Sequence, residues 1–295
     1  TVNVVVADLN ATASRLRLVP LTAPPNTVTP LPNMRLPAHD ESSSSSSSSS
    51  GGGGSGGYAT TRRLAGINAA YFYRVDEAHF FDNVCLGKLK KIALLPVSTA
   101  SPNHGVSDGA IVRAGKVLGS NCDCLGENRV AMLSVNGTAS RIDVLQHRGD
   151  APPFGTRLDA IGAGPNLVTA GDIAVPPHDQ NIANVYEHSA NTGVGFRTVP
   201  GSPEGTWRRE VVMATTDGHD GCKNDDTTCG VNAFTLAYLL RDAFGVDAAM
   251  GMDQGGSTTM WVDGRGVVSN PGGGAGRPIF SGLFLVEDEE QMRTV

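Results

Sequence analysis

One carboxylate, two glycines and three hydroxyls stand together in the C-terminal third of the chain. Residues 253–259 read DQGGSTT and follow a short apolar stretch. Glycine has no Cβ atom, so the backbone amides from Gly255 to Thr258 can approach an anion closely and donate to it as a nest. An alternative interpretation is a plain surface turn, because Gly-Gly-Ser is common in turns. The cluster predicts a site for a phosphate or carboxylate beside Asp253.

The segments around this turn predict a helix, a strand and a second strand. Residues 231–244 carry apolar side chains at helical spacing, and Gly245 is a typical residue after a helix C-terminus. Residues 246–252 form an apolar run of strand length, and residues 258–262 form another. This order of helix, strand, turn and strand places Asp253 and the hydroxyls at one end of a sheet.

The rest of the chain predicts one α+β domain with a largely antiparallel β-sheet and few helices. Residues 1–22 alternate apolar and polar positions, which indicates an N-terminal hairpin that belongs to the main domain. Residues 23–57 are rich in Pro, Ser and Gly, which predicts a disordered insertion or linker. From residue 58 to residue 295, short strands alternate with turns, including hairpin turns at residues 114–115 and 136–137.

Composition limits the partners. The chain has 295 residues and a net charge of −6, so it offers no basic stripe for nucleic acid, and no apolar run has the length of a membrane span. We therefore expect carbohydrate or another small molecule as partner, without nucleic acid or a membrane span. A phosphorylated substrate would need local arginines.

Five cysteines indicate an oxidising compartment. Cys222 and Cys229 bracket a polar loop, and Cys85 is expected to pair with Cys122 or Cys124, which leaves one thiol over. No pair has the CxxC spacing of a zinc site, so disulfides and a secreted or cell-surface protein are predicted. The start at Thr1 without an apolar leader is typical of a processed product. Sequons that would make the chain a glycoprotein begin at Asn10 and Asn136.

Several ordered blocks resemble the phosphodiester glycosidase family, which is related to the lysosomal uncovering enzyme. The blocks together cover about residues 58–287, and their number and order make the resemblance specific. They are residues 66–72 (GINAAYF), 164–168 (GPNLV), 192–195 (TGVG), 217–218 (DG), the helix at 231–244, the turn at 253–258 and 277–278 (RP).

The resemblance implies a hydrolase that cleaves the bond between a sugar and a phosphodiester. A phosphate monoester is a good leaving group, with a second pKa of about 6, so one carboxylate can suffice. We expect Asp253 as base or nucleophile and Asp217 as second acid/base or acceptor of a sugar hydroxyl. Both also fit the alternative of turn residues that cap backbone amides. The implied substrate-binding residues are Asn68, Asn191, His219, Gln254, Gly255, Gly256, Ser257, Thr258 and Arg277.

Some of these positions depart from the family pattern. The family commonly has arginine where this chain has Asn191 and His219, and glycine where it has Gln254. The loss of two guanidinium groups weakens bidentate phosphate recognition. Either the substrate or the chemistry differs, or Arg197 or Arg277 supplies the missing charge. Asn68 has its own alternative, a buried amide that bridges two loops, and His219 that of a surface histidine.

Two further interpretations remain open. A dense acidic loop would suit calcium, but its spacing is not that of an EF-hand, so a solvated loop is favoured and no cofactor is predicted. Its members are Asp217, Asp220, Asp225 and Asp226. The rival functions are a non-catalytic secreted carbohydrate-binding or cell-surface structural protein on the same fold, and a metal-dependent phosphodiesterase.

Overall fold

The computed structural model describes residues 1–9, 16–23, 28–36, 60–74, 105–107, 111–113, 116–119, 131–136, 139–144, 159–175, 185–197, 210–218, 229–271 and 277–289. Within these ranges the protein is mostly antiparallel β-sheet with one short α-helix. The expected antiparallel sheet is confirmed. The α+β assignment is only loosely supported, because so little of the described chain is helical.

A six-stranded antiparallel sheet carries the first strand of the chain. In order across the sheet its strands are β1 (Val2–Asp8), β14 (Glu210–Thr216), β13 (Asn191–Arg197), β15 (Ala248–Gly251), β11 (Asn166–Thr169) and β12 (Asp172–Ile173).

A five-stranded antiparallel sheet faces the first. In order its strands are β17 (Gly266–Val267), β16 (Met260–Val262), β3 (Thr60–Asn68), β18 (Ser281–Glu289) and β2 (Leu16–Thr22). The first two strands of the chain thus lie in different sheets. The predicted N-terminal hairpin is therefore wrong, because β1 pairs with β14 and β2 pairs with β18.

Two further sheets, one of five strands and one of two, complete the described strands. One has the order β7 (Lys116–Gly119), β6 (Ile111–Arg113), β10 (Asp159–Ala163), β8 (Ala131–Asn136) and β9 (Ala139–Val144), and the other pairs β4 (Phe72–Arg74) with β5 (Gly105–Ser107). The pairings of β6 with β7 and of β8 with β9 are those of the two predicted hairpins, although the turns themselves lie outside the described residues.

The predicted helix and the strand after it are both present. Helix α1 (Ala233–Tyr238) begins after Asn232, whose side chain accepts the N–H of Thr235 at 2.9 Å. The chain continues as a π-helix over Leu239–Ala243. It leaves the helix at Gly245, where φ is +66°, as a glycine after a helix allows. Strand β15 follows.

The core has two layers, one on each face of the six-stranded sheet. One face packs against the five-stranded sheet through residues such as Phe196, Met213 and Phe284. The other face packs against α1 and the π-helix after it. Both approach closely because Gly193 has no Cβ, and a Cβ added there would lie 3.2 Å from Leu236 Cδ2 and 3.1 Å from Leu240 Cδ1. In the described residues no helix is long and apolar enough to cross a membrane.

Part of the predicted linker belongs to this core. Residues 28–36 contain a 3-10 helix at Leu31–Asn33, and Leu31, Met34 and Leu36 are buried between the sheets. The disorder predicted for residues 23–57 is wrong for this piece, because three apolar side chains at short spacing bury enough surface to order it. Residues 37–59 lie outside the described residues.

Candidate active site

The candidate site forms where one edge of the six-stranded sheet meets the ends of strands in the five-stranded sheet. After β15, Met252 N donates to Thr192 O at 2.8 Å and Asp253 N donates to Ala69 O at 2.9 Å. The chain then makes a single 3-10 turn at Gly255–Ser257, with φ of +65° at Gly255. A left-handed conformation there requires glycine. The turn is therefore fixed to both sheets.

Three of the four backbone amides that were predicted to form a nest are bonded inside the protein. Gly255 N donates to Ala190 O at 2.8 Å, Ser257 N to Gln254 O at 3.4 Å and Thr258 N to Gly255 O at 3.0 Å. These donors are used inside the protein. Anion binding through them is contradicted, and the side-chain hydroxyls are the donors that the turn leaves available.

Two hydroxyls of the turn are buried without a partner. Ser257 and Thr258 are both 0 % exposed. Within the described chain neither Ser257 Oγ nor Thr258 Oγ1 has a hydrogen-bond partner, whereas Thr259 Oγ1 donates to Ser257 O at 3.1 Å. A buried hydroxyl without a partner costs free energy, so two adjacent ones mark a place where a ligand can supply the missing bonds.

Asp253 lies at the start of the same turn. Asp253 is 9 % exposed, and its Oδ1 accepts the N–H of Gln254 at 2.9 Å. The carboxylate thus has a fixed rotamer and stands two to five residues from the glycines and hydroxyls.

Asn68, at the end of β3, ties the turn to both sheets. Its Nδ2 donates to Asp253 O at 2.6 Å, and its Oδ1 accepts Thr192 Oγ1 at 2.6 Å and Thr259 N at 3.0 Å. The amide is buried, with 1 % exposure. Its acceptor oxygen is fully used inside the protein. The geometry is that of a bridging amide, which was the alternative to substrate binding.

Asp217 reaches the same edge of the sheet but has other partners. It follows β14, and β14 and β15 flank β13, so the two strand ends are about 10 Å apart at the backbone. Asp217 Oδ1 accepts Asn270 N at 2.8 Å and Asn3 Nδ2 at 3.3 Å. Its carboxylate therefore joins β1 to the segment after β17.

Asn191 is also occupied internally. Its Nδ2 donates to Val231 O at 2.6 Å and to Ser189 O at 3.0 Å, which joins β13 to the segment before α1. Arg197, six residues along β13, forms an ion pair with Glu210 at 2.5 Å. About 20 Å of extended strand separates Arg197 from Asn191, so Arg197 does not supply charge to this edge.

Arg277 is the remaining arginine among the predicted site residues. Its guanidinium carbon lies 5.8 Å from the centroid of the Phe72 ring, and its Nε is buried without a partner in the described part of the chain. His219 lies outside the described residues.

The predicted calcium loop and disulfides fall mostly outside the described residues. Of the acidic loop only Asp217 is described, and no group of three or more His, Cys, Asp or Glu in the described ranges could hold a metal ion. Of the cysteines only Cys229 is described, and it is buried.

The sequence patterns did not reveal some of the residues that position the site. Thr192 lies in a block that carries the family resemblance. Its hydroxyl, however, donates to Asn68, which is 124 residues away in the sequence, and no local pattern indicates this contact. Ser281 accepts Ala70 N through Oγ at 3.0 Å, and no local pattern marks it.

Comparison with known proteins identifies a family and a fold. The family model for phosphodiester glycosidases matches residues 64–286. No curated protein matches the sequence. The catalytic domain of zebrafish N-acetylglucosamine-1-phosphodiester α-N-acetylglucosaminidase, auto-inhibited by its pro-peptide, has a similar fold. It gives a TM-score of 0.53 at 15 % identity, over 99 % of this chain and 83 % of that one.

A hypothetical protein from Synechocystis is also similar in fold, with a TM-score of 0.52 at 11 % identity over 97 % of this chain. This chain spans 59 % of that protein's length. At these identities the two structures establish the fold alone, whereas the family model covers most of the sequence. The chain belongs to the phosphodiester glycosidase family.

Proposed function

We propose that this protein hydrolyses the bond between a sugar and a phosphodiester, with the turn after β15 as its active site. The observation that carries the proposal is the pair of buried hydroxyls without described partners, Ser257 Oγ and Thr258 Oγ1, next to Asp253. Donors held in a dry pocket stabilise developing negative charge more than they do in water. A departing phosphate develops such charge.

Asp253 is the proposed base or nucleophile. In hydrolysis the bond from the anomeric carbon to the phosphate oxygen breaks, the bonding electrons leave with the phosphate monoester, and water supplies the new oxygen. The leaving group needs little protonation, because its second pKa is about 6. One carboxylate, either attacking the anomeric carbon or deprotonating water, therefore suffices.

The other predicted residues take secondary roles in this proposal. Gly255 and Gly256 shape the turn, and Gln254 lies at its half-exposed rim. Asn68 and Asn191 hold the edge of the sheet together. Asp217, whose Oδ1 is already bonded, is proposed as an acceptor of a sugar hydroxyl. His219, which lies outside the described residues, is proposed as a donor to a phosphate oxygen in place of the family's arginine.

The proposed setting is a secreted, disulfide-bonded glycoprotein. The support is the five cysteines, with no CxxC pair, and the two sequons. The proposed domain combines residues 1–22, the core segment 28–36 and residues 58–295, and residues 37–57 form an insertion. The zebrafish neighbour makes N-acetylglucosamine-1-phosphodiester the first substrate to assay.

Isotope placement tests the reaction directly. Purified protein is incubated in H₂¹⁸O with α- and β-linked N-acetylglucosamine-1-phosphodiesters. A glycosidase places ¹⁸O in the sugar, whereas a phosphodiesterase places it in the phosphate. Turnover with labelled sugar that persists in EDTA is the expected result. Label in phosphate, or loss of turnover in EDTA, would favour the metal-dependent phosphodiesterase.

A negative result in that assay is also informative. If no sugar-1-phosphodiester is cleaved but sugar binding is measured by calorimetry, the carbohydrate-binding protein replaces the enzyme. Wild-type folding is checked by circular dichroism in each case, so that absence of turnover is not confused with misfolding.

A further inference from the structure

A phosphodiester brings a negative charge into the site, and few described arginines are available to meet it. Most already bind a carboxylate or carbonyl inside the protein. The pairs are Arg17 with Asp288, Arg62 with Asp263, Arg63 with the carbonyls of Pro32 and Met34, Arg197 with Glu210, and Arg241 with Asp242. These guanidinium groups are neutralised or held away from the turn.

Arg277 differs from these arginines because, in the described ranges, neither a carboxylate nor a carbonyl binds its guanidinium group, whereas a buried Nε without a partner also occurs at Arg197. The guanidinium carbon of Arg277 is 5.8 Å from the Phe72 ring centroid, within the range of a cation–π contact. Its Nε is buried, yet in the described ranges it has no hydrogen-bond partner, and no carboxylate pairs with the side chain. A buried donor of a permanent cation without a partner is costly, so this position favours an anionic ligand.

The stretch 68–72 connects Arg277 to the turn. Ala69 O accepts Asp253 N at 2.9 Å on one side, while Ala69 N donates to Ser281 O at 3.1 Å on the other. Arg277 precedes Ser281 by four residues and lies on Phe72 at the end of the stretch. The segment that carries Arg277 and the turn that carries Asp253 therefore border the same short piece of chain.

We propose that Arg277 is the specificity residue that binds the phosphate of the substrate and makes the site prefer an anionic aglycone over a neutral one. The inference rests on the proposed function for its substrate, but phosphate binding can be measured without turnover. The cation–π contact with Phe72 orients the guanidinium, and its planar fork can then donate to two phosphate oxygens.

The variants Arg277→Gln and Arg277→Lys test this inference. Arg265→Gln is the matched control, because Arg265 is an exposed arginine in the turn between β16 and β17 and has no place in the site. Affinity for inorganic phosphate is measured by calorimetry. We expect Arg277→Gln to weaken it about 10- to 100-fold, Arg277→Lys to weaken it less, and Arg265→Gln to leave it unchanged.

Substrate kinetics give the second measurement. Against a sugar-1-phosphodiester, Arg277→Gln is expected to lower kcat/KM about 10- to 100-fold, whereas kcat/KM for a neutral aryl glycoside of the same sugar should stay within about two-fold of wild type. Thermal midpoints of all variants establish that they fold. If Arg277→Gln misfolds, the same measurements on Arg277→Lys test the inference, because lysine cannot bind phosphate in a bidentate manner.

The failures of the two proposals are distinguishable. If wild type cleaves the phosphodiester and Arg277→Gln cleaves it equally well, Arg277 is not the specificity residue and the enzyme stands. If wild type cleaves no substrate but binds phosphate through Arg277, the proposed anion site is supported and the proposed enzymatic function is rejected. Wild type that binds no phosphate, or a variant that binds it as tightly as wild type, overturns the inference.

Discussion

Ser257 and Thr258 hold two hydroxyls in a buried turn where no described residue bonds them. For the free protein such groups are a cost, because a buried unpaired hydroxyl loses its bond to water, worth about 1–3 kcal/mol. For a bound anion they are ready donors. Stability and activity should therefore respond to their removal with opposite signs.

The substitution Ser257→Ala tests that opposition. We expect the thermal midpoint to stay the same or rise, while kcat/KM for a sugar-1-phosphodiester falls by about 10²-fold, as for the loss of an oxyanion donor. Differential scanning calorimetry and steady-state kinetics measure the two effects. Thr259→Val is the contrast, because the Thr259 hydroxyl is bonded and its loss should lower stability by about 1 kcal/mol. A lower midpoint for Ser257→Ala would mean that the hydroxyl has a partner.

Asp253→Asn separates charge from shape. Asparagine keeps an Oδ1 that can accept the N–H of Gln254, so the fold should survive. The loss of the carboxylate should lower kcat by about 10²- to 10⁴-fold, the usual contribution of a positioned acid or base. Turnover and circular dichroism are measured together. A folded variant with wild-type kcat would remove Asp253 from the mechanism.

At the scale of elements, the amide of Asn68 connects β3, β13 and the turn. Thr192→Val removes the hydroxyl that donates to Asn68 Oδ1 at 2.6 Å and keeps the side-chain shape. We expect a loss of stability of about 1–3 kcal/mol and a fall in kcat with little change in KM, because the turn loses its fixed position rather than its contacts.

Two companion variants identify the cause of that change. Thr192→Ser restores the hydroxyl and should recover kcat. Thr215→Val removes another buried threonine hydroxyl, one that accepts only a weak bond from Asn3 at 3.5 Å, and should leave kcat near wild type. Equal losses of kcat in the Thr192→Val and Thr215→Val variants would show a general effect of packing.

The elements that the sequence predicts well are those with local signals. The helical apolar spacing and Gly245 define α1, and the glycines define the turn after Asp253. The amide nest was wrong at Gly255 because the partner of Gly255 N is Ala190 O, a residue whose proximity depends on the sheet order. The contact between Thr192 and Asn68 also depends on the order of strands. Such contacts are fixed by strand pairing over more than sixty residues, which local composition does not encode.

For the whole molecule, the sheet assignment of the first two strands was the main error. Alternation of Val2, Val4 and Val6 predicts a strand but not its partner, and β14 rather than β2 pairs with it. The same limit applies to residues 28–36, where Pro and Ser in a wide window concealed Leu31 and Met34, two of the most buried side chains. The composition of residues 23–57 as a whole hides the short apolar motif that orders residues 28–36.

The packing of residues 28–36 also determines which part of the insertion can be removed. Strands β2 and β3 flank β18, and their connection must return along that strand before β3 begins at Thr60. Residues 28–36 cover much of this path. Arg63, three residues into β3, donates to the carbonyls of Pro32 and Met34. The chain leaving Leu36 is therefore already close to the start of β3.

Deletion of Ser42–Gly57 should consequently be tolerated. It leaves residues 37–41 and 58–59, seven in all, which span up to about 25 Å when extended. A shorter connection lowers the entropy of the unfolded chain, an effect of about 1 kcal/mol for this change in length. We expect the thermal midpoint to stay the same or rise by about 2–4 °C, with unchanged kcat/KM. Leu31→Ala is the contrast, since a cavity in the core should cost about 2–5 kcal/mol. A large drop in the midpoint of the deletion variant would show that the serine and glycine tract packs against the sheets.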